Sequence, residues 1–436
     1  MRQRGLAPVK IQNFNTAYLI FAVIILLFTC FAAPVYADGT PQTDDGGFTA
    51  TEVPEVRVVV DGDYIENTDV ALKINNRILL PFREVLTRLG VQNDGDHIIW
   101  DDDEESVTVI DAGNVIKLYI GSPVMTLNGE AFEVDAAPFL YAKNSRTYVP
   151  VRAIAELLDK MVMWEDVTST VYIRDRDNYE QTLELLSNIQ NTGGAGKIHA
   201  LSESKLSLSM RSDGDRPLPG AGKDGFIRLD MGISQIVLAD FDNDVVYINQ
   251  SVDMKGIAIG AEIFIVDGGI FMKADGPGAE WNDVTGTGGF SVGSVIEQLK
   301  LIEGQMDGRP LADLAMGLAS EKTGANYILK GEPLAADDIY ALLGAASSIL
   351  LQNNAVDINM NINALYLKTL LSGDYYPEQA SVYADIDFTV GETNGRGGYT
   401  TVFFNTVIDM DMEYKPVGPD FTIAIPESVV AGAITR

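Results

Sequence analysis

Arg77-Ile78-Leu79-Leu80-Pro81-Phe82-Arg83 returns as Arg146-Thr147-Tyr148-Val149-Pro150-Val151-Arg152, an offset of 69 residues. Further along each copy, Trp100-Asp101 returns as Trp164-Glu165 and Val107-Thr108-Val109 as Val171-Tyr172-Ile173, now at an offset of 64. The difference of five places extra residues in the first copy, around 92–99. Each copy reads as strand, helix, hairpin. An apolar strand runs into Pro81 or Pro150, and proline suits the first turn of a helix because its missing N–H costs nothing there. Phe82, Val85, Leu86 and Leu89 then recur at helical spacing, as do Val151, Ile154, Leu157 and Leu158. Trp100 and Trp164 are read as the starts of strands and as core anchors, each followed by an acidic turn, 101–105 and 166–169. Further strands are expected at 57–60, 115–120 and 124–127, the last ending in an Asn128-Gly129 turn.

Outward from this segment the chain divides. The 436 residues carry 31 Lys+Arg against 62 Asp+Glu, a formal net charge of −31. That excess repels nucleic acid and leaves few cations to displace its counterions. One cysteine, Cys30, and two histidines, His97 and His199, exclude disulfide scaffolds, three-His metal centres and most Cys–His catalysis. Residues 1–37 have the layout of a secretory signal: Arg2, Arg4 and Lys10, an apolar run from Ala17 to Ala33, and small residues at Val35 and Ala37. Cleavage after Ala37 is the expectation, with an uncleaved anchor or lipoprotein processing at Cys30 as rivals. Residues 38–53 read as a flexible linker. The localisation expected is extracellular or in the cell envelope.

Residues 54–176 resemble the copper amine oxidase N-terminal-like domain, a module of secreted and wall-associated proteins of Gram-positive bacteria. The resemblance rests on the doubled Arg-x-x-x-Pro-x-Arg and Trp-Asp/Glu elements, with Ile120-Gly121-Ser122 and Asn128-Gly129 between the copies. The copies differ where Thr87 matches Glu156 and Gly90 matches Asp159. The resemblance implies a non-catalytic appendage. The quinone-forming motif and three copper-binding histidines of the oxidases are missing, so neither cofactor nor metal is expected. Arg77, Pro81, Arg83, Trp100, Arg146, Pro150, Arg152 and Trp164 are read as structural motif residues, with ligand contact by Arg83 and Arg152 as the alternative. The acidic turn 101–105 lacks the alternating ligands and glycine of a calcium loop, and Asp240-x-Asp242-Asn243-Asp244 lacks the glycine and closing glutamate.

From 177 to 436 a linking helix (177–190) precedes long runs of strict alternation, with helices expected at 292–302, 311–322 and 336–351. Asp385, Asp387, Asp409, Asp411 and Glu413 lie opposite apolar neighbours, the signature of an antiparallel sheet wet on one side. The fold class expected is therefore α+β: the small doubled module plus a curved antiparallel half-barrel sheet clasping helices. Tyr327–Gly331, Ile270–Lys273 with Trp281, and the closing 421–427 resemble the lipoprotein carriers of bacterial envelopes (LolA-like and LppX-like), which implies acyl chains held between sheet and helices. Methionines crowd the apolar face, and Met suits surfaces that accept varied apolar shapes. Met210, Met231, Met254, Met360, Met410 and Met412 are the candidate ligand-binding residues, with a filled core as the alternative. No nucleotide loop, nucleophile elbow or zinc-protease motif is present. The expectation is an exported non-enzymatic envelope protein. Its N-terminal module would be a wall-facing adaptor or spacer and its C-terminal half-barrel would bind an apolar ligand such as a lipid. A purely structural surface protein, contacting cell-wall polymer or an envelope protein, is the alternative.

Overall fold

The computed structural model describes residues 50–65, 69–74, 76–166, 168–191, 197–212, 221–240, 243, 245–267, 269–284, 311–332, 357–394, 398–418 and 420–434. The expected signal segment, most of the linker, and the expected helices 292–302 and 336–351 lie outside these residues. Among the described residues there are twenty-five strands and five short or medium helices. They form two compact units, one from residues up to 181 with 315–319, the other from 182–314 and 320 onward. The helix Arg176–Asn191 carries the chain from one to the other.

In the first unit the repeated strands β5 (Arg77–Pro81) and β12 (Arg146–Pro150) pair with each other, antiparallel. Leu79 faces Pro150, Leu80 faces Val149 and Pro81 faces Tyr148. Leu79 and Tyr148 are equivalent in the repeat, as are Pro81 and Pro150, so the pairing has a local two-fold axis through Leu80 and Val149. Both residues are buried. β1 (Thr51–Glu52) and β4 (Leu72–Ile74) extend this sheet on one side and β11 (Phe139–Tyr141) on the other. The prolines end their strands rather than sitting inside the helices: Pro81 and Pro150 have extended ψ of 123° and 116°, and the helices Phe82–Arg88 and Val151–Leu157 start one residue later. Proline's fixed φ fits that corner equally well, and its carbonyl remains free to accept the first helical bond.

A second sheet is the meander β6 (Ile98–Asp101), β7 (Ser106–Asp111), β8 (Asn114–Tyr119), β9 (Val124–Leu127) and β10 (Glu130–Glu133). Its last turn is Asn128-Gly129, both at positive φ of 53° and 89°, as a two-residue hairpin demands. A third sheet runs β13 (Lys160–Glu165), β14 (Thr170–Asp175), β2 (Arg57–Val60), β3 (Asp63–Ile65), with β2 and β14 parallel. One core joins Val58, Leu80, Phe82, Leu86, Leu118, Val149, Ile154 and Ile173. The tryptophans stand late in β6 and β13, just before the acidic turns, and not at the strand starts.

The second unit corrects the expected fold class. It is mostly β, built on one eleven-stranded sheet, and among the described residues that sheet clasps no helices of the expected kind. β15 (Lys197–Ser212), β16 (Ile227–Asp240), β17 (Val245–Met254), β18 (Ile257–Val266), β19 (Gly269–Ala274) and β20 (Asn282–Asp283) form one meander. β21 (Leu318–Thr323), β22 (Asn326–Gly331), β23 (Asp357–Leu371), β24 (Pro377–Asn394) and β25 (Gly398–Tyr414) form another. The two are joined by the antiparallel pairing of β15 with β25, from Ala200↔Tyr414 to Ser212↔Val402. The helix expected at 311–322 stops at Gly317, and Leu318–Thr323 turns into β21. There Thr182 Oγ1 accepts the backbone N–H of Ser320 at 3.0 Å. The closing segment 421–427 has no regular structure until the helix Glu427–Ile434. It lies over one end of the outer face, where Val429, Ile423 and Ile425 pack with Phe264, Phe271, Tyr247 and Trp281. That part of the sheet is therefore not wet.

Candidate functional site

Two features could serve a ligand, one in each unit. The first is a surface cleft of about 660 Å³ in the first unit. It forms where the β5–helix corner, β6 and β7, and the β11–β12 hairpin meet. Pro81, Arg83, Trp100 and Arg146 all line it, so four of the motif residues converge there. Ile98, Val107 and Phe82 are buried and form an apolar floor, while Trp100 at 43% exposure and Leu140 at 55% stand at the mouth. Trp100 is thus not a core anchor. Its indole N–H donates to Asp102 Oδ1 at 2.5 Å, which fixes the ring. Arg83 Nη1 donates to Asn93 Oδ1 at 2.9 Å, and Arg146 pairs with Asp69 at 2.7 Å. Asn93 belongs to the extra residues of the first copy, so the length difference between the copies supplies a partner for this arginine.

The remaining motif residues stay outside the cleft. Arg77 holds Asp135, with Nε at 2.7 Å from Oδ2. Arg152 is exposed on the second helix, and Pro150 is buried in β12. Trp164 repeats the local bond of its counterpart, donating to Asp166 at 2.5 Å, but its ring packs against the core. Among the described residues the buried arginines are Arg57 and Arg174, neither of which the sequence singled out. Both sit on the parallel pair β2 and β14, and burial pushes the Arg174 guanidinium down, opposed by the Asp61 carboxylate. Only their place beside runs of Val and Ile could have signalled it. His97 Nδ1 lies 2.7 Å from Asp94, whose carboxyl is held below its usual range first by that contact.

The second feature is the apolar face of the eleven-stranded sheet. Ile408 on β25 lies between Leu206 on β15 and Ala384 on β24. Met410 pairs between Ser204 and Val382, and Met412 between Ser202 and Ala380. Met410 is 1% exposed and Met412 6%, both within the packed core. Met231 is half-buried against the same core and Met210 half-buried beside Phe404. Met254 is exposed, opposite Ile257. Met360 belongs to β23, and its side chain lies outside the description. The candidate methionines therefore share a sheet face but not an environment. Across this face runs a polar strip, where Gln235 Nε2 donates to Gln250 Oε1 at 3.2 Å and Ser202 lies 3.4 Å from Ser204. The reverse face carries Asp411 accepting from Ser381 and Glu203 accepting from Ser234, each at 2.7 Å. Among the described residues no three His, Cys, Asp or Glu side chains converge on a metal position, and no helix is long and apolar enough to cross a membrane.

Residues 59–173 match the family model of the copper amine oxidase N-terminal domain. That domain carries no catalytic site. No curated protein matches the chain. Among solved structures, a β-barrel-like protein of a domain of unknown function from Brucella abortus is 10% identical. The match covers 50% of this chain and 98% of that one, with a TM-score of 0.17. The Salmonella type III secretion secretin InvG is 11% identical, over 68% and 88% of the two chains, with a TM-score of 0.09. Neither score establishes a shared fold. The resemblance of the second unit to lipoprotein carriers gains no support from these comparisons.

Proposed function

We propose that the chain is an exported, non-enzymatic envelope protein whose second unit binds an apolar ligand on the inner face of its sheet, with the first unit as a wall-facing adaptor. One observation carries this reading: the apolar face continues past its buried patch into the open. Ile233 is 3% exposed, yet its neighbour Val252 is half-buried, and Ile259 on the next strand is 56% exposed. Ile257, Met254 and Met272 extend the same exposed surface. Contiguous apolar surface of this kind marks a binding site more often than chance exposure, and each Å² removed from water contributes ~25 cal/mol. Met254 belongs to the open part, Met231 stands beside it and Met210 lies further along the same face; these three are the ligand contacts in this reading. Met410 and Met412 belong to the filled part.

The test is native mass spectrometry and solvent extraction of the full-length protein, followed by displacement of a fluorescent apolar dye by a long-chain fatty acid. Ile259→Asp is expected to weaken dye binding while leaving the fold intact. A protein that carries no apolar molecule and shows no saturable dye binding would defeat the reading. The filled-core alternative, a structural surface protein, would then stand.

A further inference from the structure

We infer that the cleft of the first unit is a saccharide-binding site, specific for an uncharged, extended sugar chain and centred on Trp100. The inference gives the adaptor role chemical content and rests on that role; it does not depend on the apolar face of the second unit. Three observations point the same way. The indole N–H of Trp100 is already committed to Asp102, so what the ring offers a ligand is its flat apolar face, held in one orientation. The C–H face of a pyranose is the complement of such a surface, and fixing the ring beforehand lowers the entropy lost on binding. The rim carries Arg83 and Arg146 against Glu84 and Glu105, a balance that favours neither an anion nor a cation. Such planar fork-like groups suit vicinal hydroxyls, and Arg83 commits one N–H to Asn93 while its guanidinium has further donors. Finally, a cleft of about 660 Å³ open to solvent lies in the range of small-ligand sites and admits a run of sugar rings rather than one.

The second copy shows why the site is not duplicated. Trp164 bonds to Asp166 in the same way, but packs against the core and has no loop equivalent to 92–97 beside it. The site thus depends on the extra residues of the first copy and on Ser145, Arg146 and Thr147 lent by the second.

The experiment uses the full-length protein and two probes, a soluble β-linked N-acetylglucosamine oligosaccharide and a cellulose-derived oligosaccharide, titrated by calorimetry. Saturable binding of at least one is expected, with Trp100→Ala weakening it about tenfold, equivalent to ~1.4 kcal/mol, at unchanged melting temperature. Arg83→Lys keeps the charge, removes the fork and is expected to weaken binding as well. Absence of saturable binding to both probes, or binding indifferent to Trp100→Ala, overturns the inference. Binding of an extended peptide in their place, as an added strand beside β6, also overturns it. Retention on isolated cell walls without oligosaccharide binding would sink the inference while leaving the adaptor role standing.

Discussion

Side chains of one type do different work in this protein according to where the sheet puts them. Met410 is buried in the packed core between Ser204 and Val382, whereas Met254 lies open at the end of β17. Truncating a buried Met removes transfer energy and leaves a cavity. Met410→Ala is expected to cost ~2–5 kcal/mol in urea unfolding, and Met254→Ala to leave stability within ~0.5 kcal/mol while weakening apolar-ligand binding. A titrating cluster makes a second prediction. Glu262 accepts from Lys273 at 2.7 Å and from the Tyr247 hydroxyl at 2.8 Å, and these bonds, Lys273 first, hold its carboxyl below the usual 4.5. Its contribution is complete above that ordinary value and disappears as pH falls through the lower folded one. At the other extreme, burial first and the bond to Glu262 second push the Tyr247 phenol above its usual 10.0, so its contribution is complete below pH 10 and fades as pH rises beyond it. Thermal unfolding against pH should lose stability in acid, and Glu262→Gln should flatten the acid limb.

At the scale of elements, the repeat is a pair of strands joined about a two-fold axis. Leu80 and Val149 face each other on that axis and share one core, so their truncations should not add. A double-mutant cycle of Leu80→Ala and Val149→Ala is expected to give a coupling of about 0.5–3 kcal/mol. Much of this was legible in the sequence. The repeated motif announced two equivalent strand–helix corners, Asn128-Gly129 announced its hairpin, and period-two alternation announced the strands of the second unit, though only part of the long β15 and β16. Three things were not legible. Helical and strand readings of Leu311–Lys322 compete because a short apolar run fits both periods, and pairing at the sheet edge decided for strand after Gly317. The cleft around Trp100 is completed by Leu140 and Ser145–Thr147, from a hairpin about forty residues downstream, which no local pattern encodes. The five-residue difference between the copies was visible in the sequence, but not what Asn93 would do there.

Each unit as a whole has its own hydrophobic core, and a continuous helix carries the chain between them. Units with separate cores unfold separately when little couples them. Calorimetry is expected to show two transitions, with Met410→Ala lowering one and Ile154→Ala, at a fully buried site of the first unit, lowering the other. A single transition shifted equally by both substitutions would contradict this.

The seam between β15 and β25 has a consequence for biogenesis. The ribosome delivers β15 roughly two hundred residues before the partner that must lie along it. Until the C-terminus emerges, thirteen residues of β15 present a bare edge to any other nascent chain, and contacts so distant in sequence form slowly. Polypeptides stalled or truncated anywhere before residue 398 should therefore be caught by holdase chaperones or precipitate.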